Sequence, residues 1–374
     1  MKKLITLTLV IVLALSLLAA CGGNENSNNA IKKTNSRSTP KVAIPFIYEE
    51  AQPFSEGLAA VKSGGRWGYI DKDGNEVIRC VLGYAYPFSN GLARVGEQEK
   101  WGFIDRTGNF VVPIGTYREG NHFSDGLALV ERRYFIDTEG NIVIPQVYIG
   151  VFSFYDGLAR VVKDSEDGGP PKAGFIDKAG NEVIPLKYDA EAVETRPLPP
   201  VPSPDGLFLV QLNGKNIFVD RTGNEVISSV DGIPSGFNDG MAPINRSGAW
   251  GFIDKQGNDA IPAQYARVEH FSEGLAMVVY KGMVGFVDKT GNEVIPPQYS
   301  EVSEGFRTYF NEGLAMVVSE EGAGFIDKTG KIVIPFGEYT FPTNVYTSSL
   351  SYFSEGLVAA SDSDGRWGYI AIRK

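Results

Sequence analysis

After residue 40 the chain runs in short apolar bursts separated by Gly, Asn and Asp, and the bursts recur in a fixed order. The segment 271–296, FSEGLAMVVYKGMVGFVDKTGNEVIP, holds the pattern in full. Gly-Leu-Ala-x-Val and a second burst ending in Phe/Tyr-Ile/Val-Asp are rich in strand-favouring residues and lie a few polar residues apart, which predicts a β-hairpin. Asp-Lys-x-Gly-Asn then predicts a tight turn, with Gly-Asn supplying positive φ, and Glu-Val-Ile-Pro a third strand that Pro ends. The piece between that Pro and the next Phe, such as 297–302, is long enough for a fourth short strand or an irregular crossing. No helical period of useful length follows the first 20 residues.

The Gly that opens the first burst stands at 57, 91, 126, 157, 206, 240, 274, 313 and 356, followed by Leu or, at 241, Met, giving steps of 34, 35, 31, 49, 34, 34, 39 and 43 residues. A period in this range marks a repeat architecture. In the first strand Ala59 and Val61 share a face, with Leu58 and Ala60 opposite; in the second, Gly68 and Ile70 oppose Trp67, Tyr69 and Asp71. Both faces are apolar, so neighbouring sheets must cover both, as in propeller blades. The expected fold is all-β: nine hairpin-based units in a propeller-like closed toroid, with an open stacked β-array as the alternative. Lys41-Val-Ala-Ile-Pro45 looks like the third strand missing after Trp367-Gly-Tyr-Ile370, so closure would bring residues 41–45 onto the ninth unit. Two stretches interrupt the step: 163–172, which lengthens a hairpin loop, and the Pro-rich 187–205.

Four units carry a Trp-Gly pair, at Trp67-Gly68, Trp101-Gly102, Trp250-Gly251 and Trp367-Gly368. Others keep only the Gly (Ala173-Gly174, Val284-Gly285, Ala323-Gly324) or lose both (Tyr134-Phe135, Asn216-Ile217). The pattern over 41–374 resembles the WG-repeat family of bacterial proteins. The resemblance implies an architecture and little about activity.

The first residues change the picture of where the array resides. Lys2-Lys3, an apolar run from Leu4 to Leu18, and Leu18-Ala19-Ala20-Cys21 have the form of a signal peptide over 1–20. The run is shorter than the roughly 20 residues a spanning helix needs. Leu-Ala-Ala-Cys resembles the lipobox of bacterial lipoproteins, which implies that Cys21 becomes the lipidated first residue. Residues 21–40 are Asn/Ser/Gly-rich and read as a flexible polar tether, leaving 41–374 as the repeat domain. Without residues 1–20 the chain carries 33 Lys/Arg against 45 Asp/Glu, a formal charge of −12, which argues against nucleic acid and against adhesion through a basic face. With Cys21 acylated, Cys80 has no partner in the chain. It reads as a small residue at a strand end, with a reactive thiol as the sharper reading.

Chemistry is sparse. His122 and His270 occupy equivalent repeat positions four units apart, which disfavours a triad or a zinc site, and nucleotide-binding, nucleophile-elbow and metalloprotease motifs are absent. Asp71-Lys-Asp73-Gly-Asn75 resembles the start of a calcium loop, but other units break the ligand pattern, so a turn explains it better and neither a metal nor a cofactor is expected. An acidic residue precedes the Gly in nearly every unit: Glu56, Asp125, Asp156, Asp205, Asp239, Glu273, Glu312 and Glu355, with Asn90 the exception. These carboxylates form either an acidic rim for a cation or basic partner, or simply polar turns. Trp67, Trp101, Trp250 and Trp367 are candidate platforms for sugars or proteins, or else inter-blade packing. The expectation is a non-enzymatic, lipid-anchored monomer at the extracytoplasmic face of a bacterial membrane. It would present its repeats to a cell-wall glycan or envelope protein. A carboxylate-based hydrolase and a purely structural envelope protein are the alternatives.

Overall fold

The computed structural model describes residues 40–190, 205–301, 308–341 and 352–372. The proposed leader, the Cys21 lipidation site, the tether up to residue 39 and most of the Pro-rich connection lie outside them. Over Ser38–Lys374 the chain forms one compact unit. Nine small antiparallel sheets stand in a ring, as the blades of a nine-bladed β-propeller. Blade 7 shows the full plan: Arg267–Val268, Leu275–Tyr280, Met283–Asp288 and Glu293–Ser300, hydrogen-bonded in that order. Numbered from the first complete sheet, blade 1 spans 50–82, blade 2 84–117, blade 3 128–144, blade 4 150–189, blade 5 208–227, blade 6 233–265, blade 7 267–300 and blade 8 314–334.

Blade 9 is made from both ends of the domain. Leu357–Ser361 and Trp367–Ile372 are completed by Pro40–Tyr48, with Pro40 opposite Ile372, Val42 opposite Ile370 and Tyr48 opposite Trp367. The ring is therefore closed. Across the closing seam Ser354 Oγ donates to the Phe54 carbonyl at 2.7 Å, and the buried Tyr369 hydroxyl donates to the Gln52 carbonyl at 2.7 Å.

The third strand runs further than the sequence pattern suggested. It passes through its Pro and ends some four residues later, as in Glu182–Asp189 and Glu293–Ser300. The Pro lies within a register irregularity: Phe286 pairs with Ile295 and Val284 with Tyr299, so the residues between bulge out of the ladder. A bulge needs no N–H from Pro, which is why Pro interrupts the pairing there without ending the strand. The predicted fourth strand exists as a two-residue strand such as Glu50–Ala51, placed after the bulged segment rather than within it.

That bulge explains the glycine of the pair. A Cβ on Gly68 would lie 2.5 Å from the Ile78 carbonyl oxygen, and one on Gly251 2.4 Å from that of Ile261. The bulged backbone crosses directly over this residue, so only Gly fits. The residue before it faces no such restriction, hence Trp, Ala or Val.

Packing between blades repeats as well. The aromatic residue of Phe/Tyr-Ile/Val-Asp meets the leading Phe of the next unit edge-on: Tyr69 with Phe88, Phe135 with Phe154, Phe286 with Phe310, and across the seam Tyr369 with Phe54, centroids 4.7–4.9 Å apart. Unit 5 departs from this plan and compensates. Its sequence has Ser203 in the Phe slot, and Phe208, standing where most units have Ala, meets Phe175 at 5.0 Å.

Candidate functional site

Glu56, Asp125, Asp156, Asp239, Glu273, Glu312 and Glu355 occupy the first left-handed position of a two-residue hairpin turn. Glu56 has φ 53° and Gly57 φ 80°, and Ser55 and Leu58 exchange both backbone hydrogen bonds. Turns with two left-handed residues favour Asn-Gly, the pair found at Asn90-Gly91. The carboxylates also join neighbouring blades, because all but Asp156 reach the Gly N–H of the blade that follows. Glu56 accepts from Gly91 at 2.9 Å, Asp125 from Gly157 at 2.8 Å, Asp239 from Gly274 at 2.7 Å, Glu273 from Gly313 at 3.0 Å and Glu312 from Gly356 at 2.8 Å. Asp205 accepts from Gly240 at 2.7 Å, and Asn90 Oδ1 serves Gly126 at 2.8 Å. Asp156 differs in that it pairs with Arg221 of the next blade.

Cations following the Phe/Tyr-Ile/Val-Asp run complete this rim. Lys72 contacts Glu355 at 2.7 Å, Lys289 contacts Asp239 at 2.6 Å and Lys328 contacts Glu273 at 3.0 Å, each bridging to the preceding blade. The rim is thus a chain of inter-blade bonds in which the carboxylates are already engaged. The Asp-Lys-x-Gly-Asn turns are likewise self-contained. Asp71 Oδ1 accepts the N–H groups of Asp73 and Asn75 at 3.0 and 2.8 Å, and Asn75 Nδ2 donates to Oδ2 at 2.9 Å. Gly74 takes positive φ there, while Asn75 contributes its side chain instead. Among the described residues no group of three or more His, Cys, Asp or Glu is arranged to hold a metal ion.

The tryptophans divide three to one. Trp67 is buried in the core between blades 1 and 2, and Trp250 and Trp367 are half-buried against the clusters of their own blades. Trp101 belongs to a different environment. Its cross-strand partner is Gly96, and a Cβ on Gly96 would lie 2.6 Å from the indole, so the ring lies flat on bare backbone. Tyr84 and Tyr86 stand 5.7 and 5.6 Å from it, and the Arg94 guanidinium is layered between Tyr86 at 4.1 Å and Trp101 at 4.5 Å. Arg94 donates through Nη1 to the Gly120 carbonyl, while its buried Nε has no acceptor. His122 closes the group 5.2 Å from Tyr86; desolvation of its ring and then the Arg94 charge lower its pKa to about 4.

Beside this group blade 3 is cut short. Its hairpin strands, Ala128–Val130 and Tyr134–Ile136, have three residues each where blade 2 has six. At about 3.3 Å per residue the blade falls short by roughly 10 Å at that end, and Tyr134 stands opposite Val130 where Gly102 stands opposite Val95. The missing hairpin end leaves two cavities. One, of about 720 Å³, is lined by Glu119, Glu131, Arg132, Arg133, Tyr134, Gln146, Tyr148 and Ile149. The other, of about 210 Å³, is lined by Arg94, Trp101, Gly120, Asn121 and Leu129, and it shares Glu119 and Arg132 with the first. The larger volume falls in the range of small-ligand sites.

The turns flanking the cleft are strained. Gln98 and Glu99 in blade 2 have φ 46° and 63°, and Glu131 and Arg132 in blade 3 have φ 51° and 53°, with no glycine in either turn. Left-handed non-Gly residues cost of order 1–3 kcal/mol each and concentrate at functional sites. Within the cleft Arg132 pairs with Glu119 at 2.6 Å, and Glu131 accepts the Arg118 N–H. The signal for this place in the sequence is the 31-residue step, the shortest of the eight, with Arg133-Tyr134 where a Trp-Gly pair would stand.

Two candidates remain outside the cleft. Cys80 is half-buried on the bulged third strand of blade 1, and burial raises its thiol pKa, which does not favour thiolate chemistry. His270 lies 3.1 Å from Ser235 Oγ.

Architecture and site together define a closed nine-bladed β-propeller-like repeat protein whose third blade is cut short. The WG-containing-repeat family model matches eight stretches, residues 38–67, 67–101, 101–133, 135–166, 174–190, 250–283, 285–321 and 324–367. The chain belongs to that family. No curated protein matches it in sequence. The crystal structure of a eukaryotic initiation factor is similar with a TM-score of 0.53 at 13% identity, covering 79% of this chain and 89% of that one. The computationally designed Ika8 protein scores 0.46 at 13% identity over 77% and 95%, and apo AztD from Citrobacter koseri 0.41 at 15% identity over 76% and 91%. At these identities the likeness concerns the fold alone.

Proposed function

We propose that this is a lipid-anchored bacterial envelope protein that acts without catalysis, holding a cell-wall glycan at the cleft beside blade 3. The observation that carries the reading is an aromatic group, Trp101 with Tyr84 and Tyr86 tilted against it, at the smaller cavity of about 210 Å³, which shares Glu119 and Arg132 with the polar cavity of about 720 Å³. Aromatic faces suit the apolar faces of sugar rings, and carboxamides, carboxylates and guanidinium groups suit their hydroxyls. The position at the membrane rests on the leader-like segment 1–20 and on Leu-Ala-Ala-Cys21. Among the described residues no helix is long and apolar enough to cross a membrane.

A glycosidase needs two carboxyl groups free to act as acid and as base or nucleophile. Glu119 and Glu131 both line the cleft, but both come from blade 3 and its approach, and each is held by a partner, which favours binding over hydrolysis.

Two measurements test the reading. Full-length chain in detergent should co-sediment saturably with purified cell-wall sacculi, and Trp101→Ala, shown to be folded, should lose that binding. Co-sedimentation no greater than a control protein's would remove the glycan reading. Expressed in bacteria, the chain should incorporate labelled fatty acid at Cys21, and Cys21→Ser should abolish the label; labelling that survives the substitution would remove the anchor reading.

A further inference from the structure

The charges of the cleft are unequally committed. Glu119 is paired with Arg132, and the Glu131 carboxylate accepts the Arg118 N–H. The Arg133 side chain, on the larger cavity, has no hydrogen-bond or ion-pair partner among the described residues, and Arg94, on the smaller, keeps a buried Nε with no acceptor. Three Arg against two Glu line the joined cavities in a chain of net charge −10. The donors without acceptors are cationic, while the carboxylates are occupied.

From this we infer that the cleft selects a saccharide bearing a carboxylate, its ring in the smaller cavity beside Trp101 and its acid group on Arg133. This rests on the glycan-binding reading above and deepens it. Arg presents a rigid planar fork suited to a carboxylate, and such charge-assisted bonds are roughly twice as strong as neutral ones. Arg132 and Glu119 are shared by the two cavities, so an occupant of both would pass over that ion pair. The glycine-free turns on either side fix the two walls by local backbone geometry rather than by the ligand. A neutral sugar of the same size would satisfy the platform and leave Arg133 without an acceptor.

The test is calorimetric titration of full-length chain in detergent with two soluble probes of equal length. One is the disaccharide of N-acetylglucosamine and N-acetylmuramic acid, with its free lactyl carboxylate; the other is uncharged N,N′-diacetylchitobiose. The acidic probe should bind at least tenfold tighter, a ratio that corresponds to about 1.4 kcal/mol. Arg133→Ala, at an exposed turn position, should erase the difference between the probes, and Arg133→Lys should restore part of it. Raising the ionic strength should weaken the acidic probe alone. Equal affinity for the two probes, or an unchanged ratio in Arg133→Ala, would overturn the selectivity while leaving glycan binding standing. If neither probe bound while sacculi still co-sedimented, selection of an acidic saccharide would be wrong and the longer polymer would be the ligand. Failure with both probes and with sacculi would remove both readings.

Discussion

The carboxylate of Glu355, in the last blade, accepts the backbone N–H of Gly57, in the first, with both oxygens at 3.1 Å. Lys72 meets the same carboxylate at 2.7 Å. Burial opposes ionisation there, but Lys72 and the Gly57 N–H outweigh it and hold the pKa below the ordinary value. Glu355→Ala removes a charge-assisted acceptor at the seam and should cost about 1.5–3 kcal/mol. Glu355→Gln, which keeps an acceptor, should cost less. Urea unfolding of the two variants checks the order, and equal stability would show that the seam does not depend on this group.

The glycine of the Trp-Gly pair should matter more than the tryptophan. A Cβ on Gly285 would lie 2.6 Å from Pro297 N and 2.7 Å from the Ile295 carbonyl oxygen, so Gly285→Ala must displace the bulge, at about 3 kcal/mol. Trp250 is half-buried, and Trp250→Val, which copies Val284 of blade 7, should cost about 1–2 kcal/mol. Thermal melts of both variants measure the ranking; a reversed order would refute the role given to the bulge.

Phe208 should be indispensable where its counterparts are small. It is buried and meets Phe175 at 5.0 Å, and it stands in the slot that Ala242 fills in the next blade. Phe208→Ala should cost about 3–5 kcal/mol through the cavity it leaves. A loss below about 1 kcal/mol would mean another side chain fills the gap.

Acid stability should depend on the turn aspartates. Asp288 and Asp220 are lowered from the ordinary 3.8 to about 2, chiefly because Thr290 and Thr222 donate to them. A depressed carboxyl contributes stability above its unfolded value near 3.8, and loses it as the pH falls from there towards 2. Thr290→Ala should raise the pKa of Asp288 while leaving Asp220 unchanged. Titration of the carboxyl carbons by NMR reads this directly, and an unmoved Asp288 would assign the shift to the turn N–H groups instead.

Much of the fold was legible because each unit states its hairpin and turn in local chemistry, and because Lys41–Pro45 so closely copies a third strand. The reach of that strand past its Pro was not, since a bulge is fixed by the partner strand rather than by the residues that bulge. The acidic residues stood out by their recurrence, but recurrence could not distinguish a ligand rim from bonds between blades. That difference lies in the Gly N–H of the next unit, 32 to 44 residues away. The cleft was hidden for the opposite reason. It arises from residues that unit 3 lacks, and only the 31-residue step and Arg133-Tyr134 in place of Trp-Gly mark it.

Blade 9 also sets an order in time. Pro40–Tyr48 and its partner Trp367–Ile372 are more than 300 residues apart in the chain. At a synthesis rate of roughly 5–20 residues per second, the first of these strands is exposed for some tens of seconds before the second exists. During that interval eight blades can form one after another, each against the last, while the array has two open edges that invite pairing with another chain. Closure needs both ends of the domain, so it cannot precede the C-terminal strand, and until then the array keeps its two open edges.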